Sequence, residues 1–468
     1  MTATRRGRMK KLLTLILVIG IFASLLVSCK KDEPVAEAYI NGVHLSEYVI
    51  VYDDEALDYD LRAAEYIRDS VKAKTGIELQ LVTDVTAPAA HEIVVGDTDR
   101  AISERLDAEC EGLQYAILAD GGHIAMEGDY FIIAAAAYFF VDIYVPVGDG
   151  QKTVPSEVKI HEPIVKAAKN YIIMIGDGMG VNQTRLFEYM DDDVEYSDGE
   201  DLFYGYLLPY SGFSRTQSLS GVTDSAAGGT ALSTGHKTIN EYIGRDKDGK
   251  DIRSLTELAA TLGKATAVMS TENNTGATPA SFSAHANDRD SSGVISQSQL
   301  VTMQTYGTVI DCGFDYYTAA RIKSSVEKHF TDTLSKVSQD PDGFFMMYEE
   351  AHIDKHCHNN DIDKAYQAVV RFNQIIGRVM EFAFYNPETF VLITADHETG
   401  DLYEEDGMLK YHHDDHTAAN VPVFAYGIGA ELFDGQTVEN IQIAHTIASF
   451  WGVYDFGDQS DFSYLGKK

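Results

Sequence analysis

The chain has 468 residues, 45% of them hydrophobic, with 72 acidic against 37 basic side chains and a formal charge of −35. That apolar content excludes a wholly disordered chain, and the length leaves room for two or three domains with real cores. The acidic balance disfavours general nucleic-acid binding, which works by neutralising phosphates, but not a small anionic substrate held through a bound cation.

The first element is not part of the fold. Arg5, Arg6, Arg8, Lys10 and Lys11 precede the apolar run Leu12 to Val27, which ends in Leu26-Val27-Ser28-Cys29. This is the charged, apolar and small-residue order of an export signal, and the run is shorter than the ~20 residues a membrane-spanning helix needs. Met9-Lys10-Lys11 opens such a signal as well as Met1 does. The end resembles a bacterial lipobox. That resemblance implies that residues 1–29 form a lipoprotein signal, that Cys29 carries a lipid, and that the protein is exported and anchored to a bacterial membrane, at the cell surface or on the periplasmic side. Cys110, Cys312 and Cys357 remain, a set that allows at most one disulfide.

Residues 30–38, charged and containing Pro34, read as a tether. Strand patterns follow at Tyr48 to Tyr52, Ile77 to Val82 and Glu92 to Gly96. Between the first two, Leu61, Ala64, Ile67 and Val71 keep helical spacing before Gly76. Gln114 to Ala119 and His123 to Met126 flank Asp120-Gly121-Gly122, a hairpin pattern, and Phe131 to Val141 predicts a buried helix. Residues 30–165 thus read as a small α/β domain with no chemical constellation, closed by a polar linker from Pro155 to Lys169.

From residue 166 to 468 the pattern is that of a second, larger domain. Tyr171 to Ile175, Ala265 to Ser270, Phe344 to Tyr348, Thr389 to Thr394 and Val421 to Tyr426 are short apolar runs, the mark of parallel strands covered on both faces. One intervening helix is explicit in Ile362, Tyr366, Val369, Asn373, Ile376, Met380 and Phe384, ended by Pro387. Together these predict a three-layer α/β/α sandwich with a mostly parallel central sheet, whose sites form at the carboxyl ends of the strands.

Polar blocks stand at those ends. Gly176-Asp177-Gly178-Met179-Gly180 follows the first strand, and Thr223-Asp224-Ser225-Ala226-Ala227 opens a helix that would put the Ser225 hydroxyl in the field of its N-terminus. Glu349 to His358, Thr394 to Gly400 and His412 to Thr417 each join His with carboxylate. Imidazole with carboxylate suits zinc, and a carboxylate–hydroxyl set suits magnesium. Gly276-Ala277-Thr278-Pro279 precedes His285 and Arg289.

In order and spacing these blocks resemble the alkaline phosphatase family across nearly all of residues 170–460. The resemblance implies hydrolysis of small phosphate monoesters, with broad specificity, through a phosphoserine on Ser225 and with two zinc ions and one magnesium ion. It implies that Arg289 binds phosphate, with Lys355 near it and His285 in the surrounding shell. Asp354, His358 and His416 would hold one zinc, Asp177, Asp396 and His397 the second, and Asp177, Thr278 and Glu349 the magnesium. Members are often homodimers. Gly276 departs from the family, which often has Asp or His there, and the 18 residues between His397 and His416 suggest a short cover and an open pocket. The set also stands on physical grounds: phosphoryl transfer needs charge stabilisation on entering and leaving oxygens, and four carboxylates crowd together only around cations. A diesterase is the competing enzyme reading, and a surface binding protein with a vestigial metal site the non-enzyme one.

Overall fold

The computed structural model describes residues 36–54, 58–107, 114–128, 131–161, 168–189, 202–313 and 319–458. The export segment, Cys29 and Cys110 lie outside the described residues. The first half contains the strands β1 (Val49–Tyr52), β2 (Gln80–Thr83), β3 (Glu92–Val95), β4 (Tyr115–Asp120), β5 (His123–Glu127) and β6 (Lys159–His161), in the sheet order β2-β1-β3-β5-β4-β6. The first four in that order pair in parallel, whereas β4 is antiparallel to both neighbours. Its longer helices are α1 (Asp58–Thr75) and α2 (Ile132–Tyr144).

Two segments read as connectors are structured. Ala36 is buried, and Ala38–Ile40 pairs in parallel with Gly150–Lys152, so the tether ends before residue 36. The polar linker contributes β6, an edge strand whose exposed lysine made it read as coil.

The second half is built on β7 (Asn170–Gly176), β8 (Tyr210–Arg215), β9 (Ala265–Ser270), β10 (Val309–Cys312), β11 (Phe344–Glu350), β12 (Thr389–Thr394), β13 (Val421–Tyr426) and β14 (Thr437–Glu439). The sheet order is β10-β9-β11-β7-β12-β13-β8-β14. Every neighbouring pair is parallel except those of β13, which runs against β12 and β8. The apolar run Val421 to Tyr426 had predicted a parallel strand. It is buried on both faces like its neighbours, and continuous apolarity reports that coverage rather than strand direction.

Helices α3 (Ser225–Thr234), α4 (His352–Cys357), α5 (Ile362–Tyr385) and α6 (Asn440–Phe450) position the site and the layers. Along β7, Ile172 and Met174 point into one core with Val369, Phe372 and Ile376 of α5. Tyr171, Ile173 and Ile175 point into the opposite core with Ile443 and Ile447 of α6. The two-residue alternation of a strand thus divides its side chains between two helical layers.

The core on the α5 side continues into the first half, taking in Tyr59, Ile67 and Phe131. Phe131 packs edge-on to Tyr204 at 5.1 Å between ring centroids, and Tyr66 stacks on Tyr385 at 5.3 Å. Arg62 donates to Glu381 at 2.9 Å, and the Arg378 guanidinium lies 4.8 Å from the centre of the Tyr59 ring. Gly377 makes this approach of α5 to α1 possible. A Cβ there would fall inside van der Waals contact of Tyr59 Oη and stand 2.8 Å from its Cζ and 3.0 Å from Tyr204 Cε2. Gly377→Ala is therefore expected to cost ~1–3 kcal/mol by overpacking. Urea denaturation checks it: the midpoint should fall, and an unchanged or higher midpoint contradicts this packing.

Candidate active site

Asp177 follows β7, Glu349 is the last residue but one of β11, Asp354 follows on α4, and Asp396 and His397 follow β12. Because β7, β11 and β12 run the same way, all five side chains arrive at one sheet edge. The reversed strand β13 begins at that same edge, so its antecedent His416 arrives there too. A short ladder pairing Thr399 with His416 fixes that return.

Ser225 is the first residue of α3, and Asp224 caps the helix by accepting from Ala227 N at 2.9 Å. Ser225 Oγ lies 3.2 Å from His397 Nε2 and is buried. The other Asp224 oxygen accepts from Arg289 Nη1 at 3.3 Å, which aims the guanidinium at this helix start. Gly178 has φ +71° and a position where a Cβ would stand 2.9 Å from Asp354 Cα and Cβ, so the Gly-rich block is a close approach of backbone to a side-chain cluster.

The acidic and imidazole groups form two overlapping sets. Asp354, His397 and His416 present donor atoms within 4.8 Å of one another, and so do Asp177, Asp396 and His397. His358 Nε2 faces His416 Nε2 at 3.1 Å and lies 3.3 Å from Asp354 Oδ1. Their Nδ1 atoms face backbone carbonyls, His358 that of Asp414 at 2.5 Å and His416 that of Thr223 at 2.9 Å. Two ring nitrogens are thereby turned toward each other and toward a carboxylate, the arrangement of second-tier carbonyls that orients metal-ligating histidines.

Buried atoms without a hydrogen-bond partner converge here: Asp177 Oδ1, Asp396 Oδ2, Glu349 Oε1 and Thr278 Oγ1. Orphaned buried oxygens of this kind are completed by an ion or by water. Burial first, then Asp396 and Asp354, holds Asp177 well above the usual carboxylate range. Burial raises Asp396 to about 7, with Asp354 adding to it, and raises Glu349 to about 8, with Glu272 adding to it. The donors grouped around Asp354, His397 and His416 and around Asp177, Asp396 and His397 suit divalent cations, with His397 rather than His358 completing the first of these groups.

Other residues singled out in the sequence have partners of their own. Lys355 Nζ is held by Glu272 Oε1 at 2.6 Å. His285 bridges Gly244 O at 2.7 Å and Glu257 at 3.2 Å, supporting the loop that leads to Arg289 rather than the metal groups. Cys357 is buried against Tyr411 Oη at 3.3 Å, and burial raises its thiol to about 12, so it is a packing residue. The sequence reading missed Glu272, Thr399, which donates to Asp354 at 2.6 Å, and Gln183, which holds Glu398 at 2.9 Å. Thr399 and Glu398 lie inside a block already singled out, but their partners are remote in sequence and left no local signal.

A family model described as alkaline phosphatase matches residues 168–311 and 311–406, about half of the chain. The chain belongs to the alkaline phosphatase family. Alkaline phosphatase 3 of Bacillus subtilis (strain 168) is 30% identical over 324 residues, 58% of this chain and 70% of that protein. Alkaline phosphatase 4 of the same strain is 30% identical over 285 residues, 50% of this chain and 62% of that protein, so less than two thirds of this relative is spanned. Among solved structures, the alkaline phosphatase of the Antarctic bacterium TAB5 superposes with a TM-score of 0.53 at 26% identity, over 61% of this chain and 98% of that one. A variant of that enzyme, at the same TM-score and identity over 63% of this chain and 100% of that one, is described with Mg bound in its M3 site. Membership of the alkaline phosphatase family assigns the chain to the phosphoric monoester hydrolases.

The raised carboxyls have a consequence for metal-free protein. A carboxyl whose folded pKa exceeds its unfolded value stabilises the fold while protonated and loses that contribution as pH rises through the folded value. Asp396, Glu349 and Asp177 all act in this sense, and so does His358, raised to about 9 chiefly by Asp354. His397, lowered by burial and by His416, opposes the trend only below its ordinary value. Chelated protein should therefore lose melting temperature between about pH 6.5 and pH 8.5. Adding Zn²⁺ and Mg²⁺ should remove most of that decline. Scanning calorimetry showing a flat or rising profile for the chelated protein would contradict this electrostatic account.

Proposed function

We propose that the chain hydrolyses phosphate monoesters to alcohol and inorganic phosphate through a phosphoserine on Ser225. The observation that carries this reading is Ser225 Oγ, at the start of α3, 3.2 Å from the His397 ring that both donor sets share. In this reading Asp354, His358 and His416 hold one zinc, Asp177, Asp396 and His397 the other, and Asp177, Thr278 and Glu349 a magnesium. The Mg recorded in the TAB5 variant supports the third place. When bound, the cations supply positive charge to the entering and leaving oxygens.

The chain's own residues do the rest. Arg289, anchored through Asp224, offers paired N–H donors to the nonbridging phosphate oxygens. The N-terminus of α3, which begins at Ser225, adds its positive field for the same phosphate. Ser225 Oγ bonds to phosphorus as the bond to the alcohol oxygen breaks and the alcohol leaves. Water then attacks the phosphoserine, the Oγ–P bond breaks, and serine and phosphate are regenerated. The region between His397 and His416 supports a shallow cover: most of it is the two-stranded hairpin of Leu402–Glu405 and Met408–Tyr411. That suits varied phosphomonoesters.

The rest of the chain follows from its opening residues. Residues 1–29 direct export, Cys29 carries the lipid that holds the protein to a bacterial membrane, 30–165 is an accessory α/β domain and 166–468 the catalytic one.

Hydrolysis of p-nitrophenyl phosphate by the 30–468 protein should rise toward alkaline pH, vanish with chelator and return with Zn²⁺. Ser225→Ala should lower kcat by at least about 10³-fold while the protein still binds phosphate. Arg289→Ala should weaken inorganic phosphate binding by about tenfold or more, as loss of a charged hydrogen-bond pair does. A metal-loaded protein inactive on monoesters but active on a phosphodiester would replace this reading with the diesterase.

A further inference from the structure

Lys355 directly follows Asp354, and its ammonium is held by Glu272 Oε1 at 2.6 Å. Glu272 stands two residues beyond β9. Its backbone N–H donates to Ser270 Oγ at 2.9 Å, and that hydroxyl in turn donates to Glu349 Oε2. The Glu272 backbone is thus tied to Glu349, and its carboxylate to the residue beside Asp354.

The side chain lies where it does because position 276 has none. A Cβ on Gly276 would stand 2.5 Å from Glu272 Oε2 and 2.7 Å from both Cδ and Cγ. Gly276 sits at the start of the short helix Ala277–Ser281 that carries Thr278, so the Glu272 carboxylate occupies the space a side chain from that helix start would fill. Its charge reaches the cluster, where it contributes to the raised state of both Glu349 and Asp177.

We propose that Glu272 is a positioning residue that fills the side-chain space left open by Gly276, holding the Lys355 ammonium away from the phosphate and adding negative charge beside Glu349 for a divalent cation. This rests on the phosphatase reading for its phosphate arm alone. Glu272 has about one fifth of its side chain exposed and Lys355 about two fifths, so the pair is accessible enough to exchange partners when either member changes. With Glu272 neutral, Lys355 is free to swing to an anion near Ser225, and the cation loses one of its counter-charges. Phosphate then binds more tightly and the cation more weakly.

The test is a mutant cycle of Glu272→Ala, Glu272→Gln, Gly276→Asp and the double variant Glu272→Ala/Gly276→Asp. Isothermal calorimetry on zinc-loaded protein measures Mg²⁺ and inorganic phosphate separately. Both Glu272 variants should weaken Mg²⁺ and tighten phosphate, each by about three- to tenfold, as removal of one nearby charge at high effective dielectric implies. Glu272→Gln, which keeps the volume, shows that a change is one of charge rather than of packing. Gly276→Asp alone should damage Mg²⁺ binding, because its Cβ meets the glutamate, whereas in the Glu272→Ala background the same substitution should restore wild-type values. Additive effects across the cycle, or phosphate affinity unchanged in both Glu272 variants, overturn the proposal. Wild-type protein that binds Mg²⁺ but neither binds phosphate nor cleaves monoesters overturns the phosphatase reading instead, and the Mg²⁺ titrations across the cycle then decide the role of Glu272.

Discussion

Four carboxylates, Asp177, Glu349, Asp354 and Asp396, are buried together at one edge of the eight-stranded sheet, and the surrounding architecture is shaped by having to tolerate them. Burying one unpaired carboxylate is already expensive, and burying several within a few ångströms adds their mutual repulsion. The fold meets this with imidazoles and hydrogen-bond donors. The imidazoles of His358, His397 and His416 face Asp354 or Asp396, Thr399 donates to Asp354, and Gly178 N donates to Asp396 at 3.3 Å. These do not satisfy every oxygen, and those left over point at shared space. Rigid burial and incomplete satisfaction together are what prepare a site for ions of high charge.

Strand direction does the gathering. Parallel strands deliver every carboxyl-terminal side chain to one edge, which accounts for Asp177, Glu349 and Asp396. His416 could not arrive that way, since it precedes a strand. The reversal of β13 solves this, because the beginning of an antiparallel strand lies where its neighbours end. β8 then runs with the majority and leaves the chain at the same edge on its way to Ser225. One reversed strand therefore brings the segment that leads to Ser225 and the last imidazole to a common place.

The strand bounds of β9, β12 and β13 were readable from the sequence because continuous apolar runs bounded by polar blocks leave little latitude. The Asp, His and Ser blocks were readable because a strand end is where such residues gather. What escaped was settled between distant segments. β8 alternates small and polar residues with single aromatics and is buried at only two of its six positions, so it carries neither a continuous run nor a firm period of two. The direction of β13 depends on its partners. Gly276 stood out in the sequence as a departure, but a glycine announces only a space, and the identity of the side chain that enters it, Glu272, depends on the path of another loop.

The shared aromatic core between the first half and α5 bears on the order in which the protein is made. Arg62 and Glu381, joined across it, are 319 positions apart. A ribosome adding ~5–20 residues per second would complete the first sheet well before α5 exists, leaving an interval on the order of ten seconds or more. During that interval Tyr59, Phe131 and their neighbours have no Arg378 or Phe384 to pack against. The first half emerges with an unfinished apolar face, a natural target for a holding chaperone, and it acquires its final surface only when nearly the whole chain has been synthesised.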